Sequence, residues 1–189
     1  MNKAKLIGSV LFTIARILFT KVEDVYALNE PDYRPSATLS VRRTDEQTGE
    51  DARVLKLEKY LTEHNSPLIG NAEDFVRYAD IYGYGQNWSM VAAIAGVEST
   101  FGKNIPANSY NAWGWGIPTG ASSGIGFKNW EEGIKTVSQG IRENYMDNGA
   151  ETLAQIGRIY APPSYTWAGN VSFFMNRIET TSVEPSLTL

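Results

Sequence analysis

The chain contains no cysteine, and His64 is its only histidine. The first absence excludes a disulfide framework and thiolate metal sites. The second, with His64 reading as a helix end before Asn65-Ser-Pro67, removes Ser-His-Asp catalysis and a histidine-rich metal centre from consideration. No metal or other cofactor is implied. Nor is there an excess of positive charge: 17 Lys and Arg stand against 21 Asp and Glu, a formal net charge of −4. With no basic patch to neutralise phosphates, nucleic acid is not an expected partner. The shortage that bears most on function is local. From Ser99 to Trp130 there is no acidic residue, and Lys103 and Lys128 are the only charges.

What is present suits one folded domain behind an export segment. A chain of 189 residues with 42% hydrophobic content buries one good core and scarcely two. Lys3 and Lys5 precede the apolar run Leu6 to Phe19, and Val25-Tyr-Ala27 fits a small-residue cleavage site. Residues 1–27 therefore read as a secretory signal peptide. Arg16 interrupts the run, which is short for a membrane span, so an uncleaved N-terminal anchor is the alternative. Removing residues 1–27 takes away four basic and two acidic residues, leaving a net charge of −6. Residues 28–50 carry Pro31, Pro35 and a mixed-charge polar run, the pattern of a flexible linker. The folded domain is expected over 51–180, with a disordered tail at 181–189. The product is then a secreted or cell-surface protein, expected to be a monomer.

Within the domain the apolar spacing is helical. Val54, Leu57 and Leu61 mark a first helix starting near Asp51 and ending before Ser66-Pro67. Phe75, Ala79 and Tyr82 mark a second over about 71–82, and Asn87 is the expected cap of a third. Ile134, Val137, Ile141 and Tyr145 give a fourth from Trp130, with Glu131 and Glu132 in a first turn where the helix dipole favours them. A short helix over 151–159 and a last one over 167–178, with Val171, Phe174 and Ile178 inward, complete a mainly α fold. The Gly- and aromatic-rich segment between the third and fourth helices reads as a small β-hairpin lobe, making the class α+β in detail. Gly120-Ala-Ser-Ser-Gly-Ile-Gly126 lacks the Lys-Ser/Thr of a phosphate-binding loop and reads as the hairpin turn.

Glu98 is the most informative residue. In a helix, positions 91, 94, 95 and 98 share a face, and three of them are Val91, Ile94 and Ala95. A carboxyl on such a face is expected to hold its proton toward neutral pH, as a general acid for glycoside cleavage requires. The plainer alternative is a Glu at a fraying helix end, turned to water. Immediately beyond it, Phe101, Tyr110, Trp113, Trp115, Phe127 and Trp130 are interleaved with six glycines. Aromatic faces beside flexible backbone suit sugar rings, whose C–H faces stack on indole. The same aromatics also suit a lobe packed on the core.

Four motifs in order, Glu98-Ser-Thr-Phe-Gly102, Asn111-Ala-Trp-Gly114, Phe127-x-x-Trp130-x-Glu132-x-Ile134 and Tyr160-Ala-Pro-Pro-x-Tyr165 with Val171 beyond, span Pro67 to Glu179. In these the chain resembles the glucosaminidase family of peptidoglycan hydrolases (mannosyl-glycoprotein endo-beta-N-acetylglucosaminidase-like domains). That family has the lysozyme-like fold, and the lytic transglycosylases are its neighbours. The resemblance implies a lysozyme-like helical domain that cleaves β-1,4 links beside N-acetylated sugars of peptidoglycan or a related glycan, with Glu98 as acid. It implies a role for Tyr160 on the substrate's acetamido group or on the developing cation, the alternative being a core tyrosine. Phe101, Asn111, Trp113, Trp115 and Tyr165 are the expected substrate contacts, although Asn111 equally fits a residue that ties its own turn.

Glycosidases usually pair the acid with a second carboxylate. Family members often carry an acidic residue in the lobe after the catalytic helix, and here that lobe has none. Two single-Glu routes are open: attack on C1 by the substrate's own acetamido group, or closure of the muramyl 6-hydroxyl on C1, as in lytic transglycosylases. A third reading is a non-catalytic glycan-binding module.

Overall fold

The computed structural model describes residues 51–116 and 124–183, all within a unit that runs from Thr48 to Leu189. The expected signal segment, the linker (28–50) and most of the tail lie outside the described residues. Those described are mainly α-helical, with six α-helices and no strand among them: α1 (Ala52–Glu63), α2 (Ala72–Ile81), α3 (Met90–Ser99), α4 (Trp130–Asn144), α5 (Leu153–Tyr160) and α6 (Trp167–Glu179). None is long and apolar enough to cross a membrane.

The start of α1 follows from Asp51, whose carboxylate accepts the Arg53 N–H at 2.8 Å. The Arg53 guanidinium also forks onto Asp80 at 2.7 and 2.8 Å, tying the start of α1 to the end of α2. Leu57 and Leu61 are buried on α1, and Phe75 and Ala79 on α2, on the faces their spacing indicates; Tyr82 lies just past α2, half-buried.

The middle of the domain is α3. Every residue from Met90 to Gly96 is buried, so this helix is wrapped on all sides rather than on one face. It lies antiparallel to α6, with Ser89 against Glu179 at one end and Glu98 against Trp167 at the other. The start of α3 corrects the sequence reading. Asn87 belongs to a short 3₁₀ turn, Gly85–Asn87, and α3 is preceded by Ser89, whose hydroxyl donates to the Glu179 carboxylate instead of capping its own helix. A partner from α6 takes the place of a local cap, and its negative charge suits the positive end of the α3 dipole.

The end of α3 is unusual. Thr100 and Phe101 both take left-handed backbone conformations (φ 54° and 58°), which are strained for residues with side chains. The Phe101 N–H reaches back to the Ala95 carbonyl at 2.9 Å, and its ring folds beneath Gly96. A Cβ at position 96 would lie 2.6 Å from the ring. Burial of Phe101, which is 1% exposed, offsets the strain and stops the helix one residue after Glu98.

No β-hairpin forms among the described residues of 100–129. One backbone hydrogen bond, from Phe127 N–H to the Ser109 carbonyl at 2.8 Å, crosses the segment. Left-handed residues at Asn108, Tyr110, Gly114 and Gly116 break any extended run. The Asn111 side chain does what a strand ladder does elsewhere: its amide donates to the Trp115 and Ile125 carbonyls at 2.8 and 2.9 Å. Beyond this lobe, Asn129 accepts the Glu132 N–H at 2.8 Å to start α4, whose Ile134, Val137 and Ile141 are fully buried. Thr152 and Gln155 form a capping box at the start of α5. On α6, Val171, Met175 and Ile178 are buried and Phe174 half-buried.

Candidate active site

Glu98 emerges where the wrapped part of α3 ends. The residue is solvent-exposed, which corrects the expectation of a buried face: α3 is enclosed through Gly96, Val97 is half-buried, and the next side chain reaches an open side of the domain. Its carboxyl group is nonetheless sheltered. Burial raises its pKa above the ordinary Glu value, and a hydrogen bond from Trp167 opposes that rise. The Trp167 indole N–H donates to Glu98 Oε1 at 2.7 Å.

Trp167 begins a wall of aromatic rings. Tyr160, at the end of α5, stacks on it with centroids 5.0 Å apart and planes 28° apart. Tyr145 and Trp115 pack on Tyr160 at 6.3 and 6.1 Å, and on each other at 6.1 Å. Small residues permit this packing. A Cβ on Gly140 would stand 2.3 Å from the Trp115 ring, and one on Gly157 would stand 2.9 Å from Trp167. The Tyr160 hydroxyl donates to the Trp113 carbonyl. Burial and the nearby Glu98 charge push the phenol well above its usual pKa, so it stays protonated.

The structure therefore gathers Glu98, Tyr160 and Trp115 in one place and directs the other candidates elsewhere. Phe101 is a core residue, edge-on to Phe174 at 5.1 Å and to Tyr60 at 5.5 Å. Trp113 is 0% exposed, and its indole donates to the Val91 carbonyl at 2.9 Å. Neither ring is available to stack on a substrate. Asn111 is buried and fully used: beyond its two donated bonds, its carbonyl oxygen accepts from Trp115 and Trp113 N–H at 3.0 and 3.3 Å. It ties its turn rather than presenting an amide. These three support the lobe from below. Tyr165 is fully exposed on the loop before α6.

Two residues of the wall were not among the sequence candidates. Trp167 and Tyr145 read there only as the start of one helix and the inward face of another. Five tryptophans in the chain were a signal, but nothing local distinguishes an indole that meets Glu98 from one that fills the core.

The other nearby carboxylates of the sequence reading, Glu131 and Glu132, are engaged by the fold. Glu131 accepts from Arg77 at 2.9 Å and from Tyr78 at 3.1 Å, bonds that hold its carboxyl below the ordinary Glu range. Glu132 accepts the Lys128 N–H beside the start of α4. One turn along the α3–α6 seam from Glu98 lies a groove of about 360 Å³, lined by Gly96, Val97, Asn170, Phe173 and Phe174. A larger cavity of about 550 Å³ between α1 and α2 is lined by Arg77 and Asp80, both already in ion pairs. Of its carboxylates, Asp51 and Asp80 both hold the Arg53 guanidinium, so the chemistry points to the Glu98 side. Among the described residues no cluster of His, Asp and Glu is arranged to hold a metal ion.

No family model matches the chain, and no curated protein matches it.

Proposed function

We propose that this domain is a glycosidase acting on β-1,4 links beside N-acetylated sugars of cell-wall peptidoglycan or a related glycan, with Glu98 as general acid. The observation that carries the reading is Glu98 itself, a carboxyl with a raised pKa, open to solvent and held by one indole at the foot of an aromatic wall. General acids are made by such an environment, and the half-buried rings of the wall, Trp115, Tyr145 and Tyr160, suit the C–H face of a sugar.

With Glu131 and Glu132 bonded elsewhere, the economical mechanism uses one protein carboxyl. Glu98 protonates the bridging oxygen as the C1–O bond breaks. The substrate's acetamido oxygen attacks C1, and water then opens the cyclic intermediate and returns a proton to Glu98. In the transglycosylase variant the muramyl 6-hydroxyl attacks C1 and gives its proton to Glu98. The absence of any acid from Ser99 to Trp130 favours both over a two-carboxylate scheme. The same proposal includes a secreted or cell-surface enzyme, supported by residues 1–27, which read as a signal peptide or an uncleaved anchor.

The test is digestion of purified sacculi by the full-length protein, with products read by mass spectrometry. Soluble fragments cut beside N-acetylated sugars are expected, and hydrolytic and anhydro ends differ by one water. Glycan binding without any product would make the domain a non-catalytic module.

A further inference from the structure

Four contacts form a closed circuit that begins and ends on α3. Val91 of α3 accepts the Trp113 indole N–H at 2.9 Å, and the Trp113 carbonyl accepts the Tyr160 hydroxyl. Tyr160 stacks on Trp167 at 5.0 Å, and Trp167 returns to α3 at Glu98 Oε1, 2.7 Å away. The indole has little freedom within this circuit. It is 3% exposed, lies on the Cα of Gly157 where no side chain fits, and is covered by the Tyr160 ring. An N–H has no acceptor capacity, so the Glu98 oxygen that faces it must remain an acceptor in both protonation states.

We infer that Trp167 is the positioning residue of the acid: its N–H holds Oε1 as a permanent acceptor and leaves Oε2 as the oxygen that carries the transferable proton. This inference rests on the glycosidase reading and adds to it which oxygen works and what aims it. In the chemical step the Oε2–H bond breaks toward the bridging oxygen, and the C1–O electron pair leaves with that oxygen. The new negative charge on the carboxylate is shared with Oε1, where the indole already donates. The hydrogen bond is thus charge-assisted once the proton has gone and strengthens as the acid acts. Tyr160 serves the same end by clamping the indole. Its hydroxyl proton is committed to Trp113, so it supports the acid without supplying a proton.

The test replaces the indole N–H while keeping a ring in place. Trp167→Phe is the simple variant, and Trp167→3-benzothienylalanine, with sulfur for N–H at nearly unchanged shape, guards against a folding defect. Two quantities are read in each: the Glu98 carboxyl titration by carbon NMR, assigned with Glu98→Gln, and kcat and KM on sacculus fragments against pH. Loss of the bond removes an interaction that favours the charged form, so the Glu98 midpoint moves up by about half to one pH unit. The alkaline limb of activity moves up with it. Loss of aim lowers kcat about 10–100-fold with little change in KM. A folded, active protein whose Glu98 midpoint and alkaline limb are unmoved by either variant overturns the assignment of Trp167 and leaves the glycosidase intact. A Glu98 midpoint that shifts between wild type and the Trp167 variants, in a wild type that cleaves no glycan, sinks the glycosidase reading and with it the catalytic role of the indole.

Discussion

Glu98 and Glu131 are the same residue type at opposite kinds of helix end, and the fold treats them in opposite ways. Glu98 stands next to the last residue of α3, where the dipole disfavours a negative charge, and its only hydrogen-bond partner among the described residues is a neutral indole. Its carboxyl is pushed toward the protonated form, chiefly by burial. Glu131 lies in the first turn of α4, where the dipole favours it, and is bonded by the Arg77 guanidinium and the Tyr78 hydroxyl. Its carboxyl is held ionised, with Arg77 as the first cause. Two carboxylates whose surroundings drive their proton affinities apart are the usual mark of a division of labour. In the proposed reading the division is between chemistry and architecture.

The largest test of that contrast is Glu98→Gln. The amide keeps the acceptor for Trp167 and loses the transferable proton. Cleavage of sacculi should fall by about 10²–10⁴-fold, the usual worth of general acid catalysis, while circular dichroism and glycan affinity stay close to wild type. Activity within a few-fold of wild type would remove Glu98 from the mechanism.

A second test uses pH. The acid must be protonated to act, so kcat/KM on the alkaline side should fall as pH rises through the raised Glu98 pKa. The same shift has a stability consequence of the opposite sense to an ion-paired carboxylate. A folded-state pKa above the unfolded value means that folding binds the proton more tightly. Stability is then lost as pH rises from the ordinary Glu pKa through the raised one. Glu98→Gln should therefore melt at a higher temperature than wild type at neutral pH, and the gap should close in acid. Melting curves of the two proteins from pH 4 to 8 would show it, and a gap that does not change with pH would contradict the raised pKa.

Glu131 supplies the mirror experiment and the smallest expected effect. Its lowered pKa contributes stability that is present above the ordinary Glu pKa and lost as pH falls through the folded value. Glu131→Gln with Glu132→Gln should lower the melting temperature slightly near neutrality and leave turnover near wild type. A folded double variant as inactive as Glu98→Gln would bring back a mechanism with two protein carboxylates.

Aromatic residues make the same comparison between sites and cores. Trp113 and Trp115 are two residues apart and flank a glycine, and the sequence offers no reason to separate them. The fold inserts Trp113 between α3 and α4, where Gly133 leaves room for its ring, and puts Trp115 against Gly140 in the wall near Glu98. Phe101 joins them in the sequence by composition and by its place in the Glu98-Ser-Thr-Phe-Gly102 motif. Its left-handed backbone turns its ring inward beneath Gly96. Composition shows that a segment is rich in aromatics, whereas backbone direction decides which ring reaches solvent.

The sequence by itself determined the helices and singled out Glu98. Apolar residues at spacings of three and four can be buried together only on a helix, so α1, α2, α4, α5 and α6 were legible to within about two residues. A Glu beside an unbroken apolar stretch already marked a carboxyl with a perturbed environment. The cap of α3, the strand-free course of the described residues of 100–129 and the wall around Glu98 were decided only by tertiary structure. Ser89 answers to Glu179, 90 residues away, and Glu98 answers to Trp167, 69 residues away. Helical periodicity is a property of neighbours along the chain, whereas a hydrogen bond between two helices exists only once they have packed, and no local pattern encodes it.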